Sequence, residues 1–188
     1  DPQTILCKYP KIFESNYLTQ NIRLEIGSLA AWTPAIEVEI LPIISEAYPN
    51  VFKEKTNIRT VSAERTFWEK ATILHHEANR PESSPMPHRY ARHFYDLYKI
   101  ANSDFKNKAL EDKELLERVT KFKMKFYPRK WAKYEEVLSG RLRLVPDRFR
   151  FSEIEKDYEA MEEMIYGEYP KFDEIIKVLK ELEKEINK

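Results

Sequence analysis

Ser62-Ala63-Glu64-Arg65-Thr66-Phe67-Trp68-Glu69-Lys70-Ala71-Thr72-Ile73-Leu74-His75-His76-Glu77-Ala78 is the stretch on which the fold turns. Phe67, Ala71, Leu74 and Ala78 recur at helical spacing and make one apolar stripe, and Ser62 stands ahead of them as an N-cap. Upstream the period is that of strands. Ile22, Leu24 and Ile26 alternate with Arg23 and Glu25, and Ile36, Val38 and Ile40 alternate with Glu37 and Glu39. Alternation of this kind predicts half-buried strands. Thr4 to Tyr9 and Ile58 to Val61 are shorter strand candidates, and Pro42 opens a short helix toward Tyr48. Downstream only helices are expected. Pro81, Pro85 and Pro87 exclude a helix over 81–87. Tyr90, Phe94, Leu97 and Ala101 then repeat the stripe, charged helices follow at about 108–126 and 129–138, and Gly140 to Pro146 interrupts them. Ile154, Tyr158, Met161 and Ile165 define one closing helix and Ile175, Leu179, Leu182 and Ile186 the other. The fold class is therefore α+β, a strand-rich part over 1–62 and a helical lobe over 63–188.

Composition narrows the function. With 188 residues, 42% of them apolar and 13% aromatic, the chain has material for one sizeable core. No apolar run reaches membrane-spanning length. A single cysteine, Cys7, excludes an internal disulfide framework and fits a reducing cytoplasm. Three scattered glycines exclude a glycine-rich phosphate loop. The 32 basic and 32 acidic residues cancel overall, but not locally. Residues 121–150 carry ten Lys/Arg against three Asp/Glu, and 151–188 carry six Lys against twelve acids.

Four constellations could carry chemistry. Lys70 lies at the border of its apolar stripe, so its stem can pack while its ammonium reaches a phosphate; a lysine paired with a carboxylate on its own helix explains the same letters. Arg92-His93-Phe94-Tyr95-Asp96 puts His93 and Asp96 on one flank of the next helix, facing a cleft or forming an Arg92–Asp96 surface pair. Glu25 is a lone strand acid. From Lys121 to Tyr134, six cations alternate with five aromatics and no acid intervenes. That pattern suits nucleic acid, or an amphipathic helix whose cations meet the acidic C-terminal helices.

Glu64-Arg65-Thr66-Phe67-Trp68-Glu69-Lys70 with Leu74-His75, then Arg89-Tyr90-Ala91-Arg92-His93-Phe94-Tyr95-Asp96-Leu97-Tyr98, resembles the AbiEii/AbiGii nucleotidyltransferase toxin family. Leu24-Glu25-Ile26-Gly27 and Asp157-Tyr158 with Met161 and Met164 also look like segments of that family. It is the toxin half of bacterial type IV toxin–antitoxin and abortive-infection systems. The resemblance implies a partial polymerase-β-like sheet followed by a helical lobe. It implies transfer of a nucleoside monophosphate from a nucleoside triphosphate (NTP) to an RNA acceptor, in relatives a transfer RNA, with Mg²⁺ as cofactor and a cognate antitoxin as partner. Carried over by motif, Lys70 contacts the triphosphate with Arg65, Arg92 and His93 beside it, and Asp96 assists the acceptor hydroxyl. Glu25 is the further acid toward the metal. Lys125, Arg129, Lys130, Trp131 and Lys133 are the expected RNA-binding residues.

One motif of the family is missing: a small-residue turn a short way before an Asp-x-Asp that binds magnesium. The chain opens on Asp1 and holds no such turn. The expectation is the C-terminal part of a longer enzyme, inactive alone. The alternative is a non-catalytic helical module that binds RNA or an antitoxin. Lys70 and Asp96 are expected to converge on one cleft, and Glu25 is separately expected to face that cleft from its strand.

Overall fold

The computed structural model describes residues 3–11, 13–15, 17–27 and 33–188. Strands precede helices. β1 (Thr4–Lys8) pairs antiparallel with β2 (Asn21–Glu25), Thr4 opposite Glu25 and Lys8 opposite Asn21. β3 (Ala35–Ile40) pairs antiparallel with β4 (Thr56–Val61), Ala35 opposite Val61. These are two separate two-stranded sheets. The segment after Pro42 forms only a short 3-10 turn, Ile43–Glu46.

Half-burial of the strands is corrected by the structure. Ile22, Leu24 and Ile26 are 47–62% exposed, and Ile36 and Ile40 are exposed as well. Alternation reports which face needs cover but supplies none. A two-stranded ribbon has too little surface of its own to bury one.

Helices make the core. α1 (Ala63–Ala78) starts where Ser62 Oγ accepts the Arg65 N–H at 3.3 Å. It buries Phe67, Trp68, Ala71 and Leu74 completely or nearly so. The Trp68 indole N–H donates to the Ala109 carbonyl at 3.0 Å, which ties α1 to α3 (Phe105–Glu111). The predicted helix over 108–126 is broken at Asp112. Its carboxylate accepts the Leu115 N–H at 2.9 Å and begins α4 (Lys113–Phe126) as a new helix. The predicted helix over 129–138 is likewise shortened. A 3-10 turn at Lys130–Ala132 is followed by Lys133 in the left-handed region (φ 49°), and α5 covers Tyr134–Leu138.

α2 (Ala91–Ala101) lies on α1. The loop before it contains the three prolines and is pinned from α6 (Phe151–Ala160). Glu153 accepts the Met86 N–H at 2.9 Å, and the buried Arg150 guanidinium donates to the Pro81 and Ser84 carbonyls at 2.6 and 2.7 Å. Asp157 does most to place α2, because its two carboxylate oxygens accept the Arg89 and Ala91 N–H groups, each at 2.8 Å. Arg89 holds a left-handed φ of 64° there. α7 (Phe172–Ile186) closes the core with Ile175, Leu179, Leu182 and Ile186 buried. No helix among the described residues is long and apolar enough to cross a membrane.

Candidate active site

The facing flanks of α1 and α2 bring the two motifs together. Lys70 Nζ lies 2.7 Å from Asp96 Oδ2 and 3.1 Å from His93 Nδ1. The lysine is paired across helices, not with an acid of its own helix, and Asp96 is taken by Lys70 instead of Arg92. The Lys70 side chain is 21% exposed and that of Asp96 37%, so the pair sits at a surface a ligand can reach.

An ammonium has no lone pair, so His93 Nδ1 must accept and its proton resides on Nε2. Burial, then the charges of Lys70, Arg92 and Lys123, hold the His93 pKa down to about 3. The neutral ring is therefore a fixed acceptor that aims the Lys70 ammonium. Its far side meets Tyr90 edge-on, with centroids 5.0 Å apart. Beyond Tyr90 lies a cavity of about 750 Å³ whose lining includes Tyr17, Arg89 and Phe149. Its lining includes neither Lys70 nor Asp96.

Arg65 and Arg92 differ in placement. The Arg65 guanidinium is buried, holding Glu69 at 3.0 Å and donating to the Thr33 carbonyl at 2.6 Å, so it ties the end of the strand region to α1. Arg92 is exposed on the first turn of α2. Glu25 is exposed and paired with Arg23 of its own strand at 2.8 Å. No described contact joins it to Lys70 or Asp96. Among the described residues no three His, Cys, Asp or Glu come together in a group fit for a metal ion, so these residues do not by themselves fit magnesium.

Lys123, one of the six cations between Lys121 and Tyr134, belongs to this cluster. It reaches the cluster from α4, donating to the Glu69 backbone carbonyl at 3.0 Å. A signal was available: Leu116, Thr120 and Lys123 share one helical face, and the first two are buried.

The neighbouring histidines are structural. His75 is fully buried, its Nδ1 accepting the Arg143 N–H at 2.9 Å and its Nε2 bonded to the Lys133 carbonyl at 3.0 Å. His76 packs on Trp131 with centroids 4.3 Å apart, and the Arg80 guanidinium lies over the Trp131 ring at 4.8 Å. Trp131 is partly buried, and its ring is already in contact with both side chains. Lys125, Arg129 and Lys130 are exposed and take part in no ion pair among the described residues, while Lys133 has only a distant partner, Glu136, at 3.8 Å.

Two small antiparallel sheets ahead of a helical region, with a lysine and an aspartate joined across its first two helices, define a nucleotidyltransferase-like α+β protein. The chain belongs to the AbiEii nucleotidyl transferase toxin family of type IV toxin–antitoxin systems, whose family model matches residues 1–178. No curated protein and no solved structure matches it.

Proposed function

We propose that this protein transfers a nucleoside monophosphate from an NTP to the hydroxyl of an RNA acceptor such as a transfer RNA, and acts in the cytoplasm as a toxin restrained by a cognate antitoxin. The observation that carries this reading is the 2.7 Å approach of Lys70 to Asp96 from motifs on two different helices. In the proposed reaction Lys70 receives the triphosphate, a task suited to a compact point charge. Asp96, released from Lys70 as the phosphates take its place, orients the acceptor hydroxyl. The hydroxyl oxygen attacks the α-phosphorus as its proton passes to the Asp96 carboxylate, the bond from the α-phosphorus to the bridging β-phosphate oxygen breaks, and pyrophosphate leaves. His93 keeps the ammonium aimed throughout. Magnesium, which the family resemblance implies, would neutralise phosphate charge when bound.

The acceptor is proposed to follow the exposed cations of 121–134. Lys125, Arg129, Lys130 and Lys133 reversed to Glu should abolish RNA binding while the fold persists, because all four are exposed and only Lys133 has an ion-pair partner among the described residues, Glu136 at 3.8 Å. Removing single charges should lower the log–log salt slope of binding by roughly 0.7–0.9 per lost phosphate contact. Unchanged affinity and slope would mean that the RNA lies elsewhere. The transfer reaction itself is tested by incubating the protein as its gene encodes it with labelled NTPs and bulk RNA, and by asking whether the label becomes covalent.

A further inference from the structure

Around the candidate site, each cation on α1 has a carboxylate of its own. Arg65 holds Glu69 at 3.0 Å, and Lys70 holds Asp96 at 2.7 Å. Lys123 is different. Its ammonium is half-buried, donates to the Glu69 carbonyl at 3.0 Å, and takes part in no ion pair among the described residues. A lysine head group has three donors, and burial without a counter-charge is costly. One carbonyl leaves two donors unused, and the nearby Glu69 carboxylate is already held by Arg65.

We propose that Lys123 is a second anchoring cation of the phosphate site, sharing a polyphosphate anion with Lys70. The proposal rests on the reading above in which Lys70 receives the triphosphate, and it adds a residue from a third helix. The charged and titratable groups that interact with Lys123 are Arg65, Glu69, Lys70 and His76 from α1 and His93 from α2. Apart from Glu69 they are cations or neutral rings. Burial first, then Lys70 and Arg65, with Glu69 opposing them, hold the Lys123 pKa down to about 7. An anion seated between Lys70 and Lys123 supplies the missing negative charge and returns Lys123 to its charged form. Loading the site above neutral pH therefore takes a proton from the buffer. His93 and His76, held to about 3 and 4, stay neutral in that range and do not contribute.

The test is calorimetric titration of the protein with inorganic tripolyphosphate at about pH 8, without magnesium, in buffers of different ionisation enthalpy. The expected result is uptake approaching one proton per bound anion. Lys123→Gln, which keeps a donor for the Glu69 carbonyl, should abolish the uptake and weaken binding about tenfold. Lys123→Arg should restore affinity without uptake, because a guanidinium stays protonated. A mere helix-to-helix tether would lose neither protons nor affinity in Lys123→Gln, and that result overturns the proposal. Lys70→Ala separates the two levels. If it leaves tripolyphosphate binding intact, the phosphate reading of Lys70 fails. If it weakens binding while Lys123→Gln changes neither affinity nor uptake, only the role of Lys123 fails.

Discussion

Asp96→Asn is expected to lower the rate of nucleotidyl transfer by about 10²–10⁴ while leaving nucleotide affinity nearly unchanged. The substitution preserves size and hydrogen bonding but removes the charge that orients the acceptor hydroxyl. Lys70→Ala should behave differently, weakening nucleotide binding as well as slowing transfer, because its ammonium is the group proposed to meet the phosphates. Neither change should cost the fold much. The pair is partly exposed, and such ion pairs contribute about 0–1 kcal/mol. Single-turnover rates, nucleotide affinity and urea denaturation of both variants separate the cases. Wild-type transfer in Asp96→Asn removes Asp96 from the chemistry, and a loss of stability matching the loss of activity makes the pair structural.

Acid should destabilise the protein steeply through its buried histidines. Burial and neighbouring cations hold His93 at about 3 and His76 at about 4, and His75 is also lowered, chiefly by burial. An unfolded chain binds these protons near the ordinary histidine pKa of about 6.5. Since the folded values lie below the unfolded one, the stability they represent is complete above about pH 6.5 and is lost as pH falls toward the folded values. Each such histidine adds a slope of up to about 1.4 kcal/mol per pH unit within its window. His93→Asn, whose amide oxygen can replace Nδ1 as the acceptor for Lys70, should flatten the dependence by about one proton between roughly pH 6 and 4. Identical slopes in the two proteins, from urea denaturation across that range, would show that His93 is not held neutral.

Much of the helical part was legible because one physical signal, the apolar stripe, controls it. Phe67, Ala71 and Leu74, and again Ile175, Leu179, Leu182 and Ile186, are buried as their spacing requires. The meeting of Lys70 and Asp96 followed from the same stripes, since each residue borders the face by which its helix packs. Four features escaped for separate reasons. The strands form where alternation places them, but their partners for burial are a tertiary matter that a period-two pattern does not contain. Asp112 and Lys133 interrupt predicted helices through a side-chain cap and a left-handed residue, which local hydrophobic spacing does not register. Lys123 belongs by charge to a basic run, and only the helical face it shares with Leu116 and Thr120 directs it to the cluster. Asp157 belonged to the family resemblance, but its work, fixing the start of α2 through two backbone N–H groups, needs the fold to be seen.

The central claim is that the lysine–aspartate pair serves nucleotidyl transfer. Its most direct test is the fate of two labels on the same triphosphate. The protein as its gene encodes it is incubated with magnesium, bulk transfer RNA and NTPs labelled at either the α- or the γ-phosphate. Nucleotidyl transfer puts the α-label into RNA covalently and releases the γ-label in pyrophosphate, and both effects should disappear in Asp96→Asn. Appearance of the γ-label in RNA, or α-label incorporation that persists in Asp96→Asn, would contradict the account.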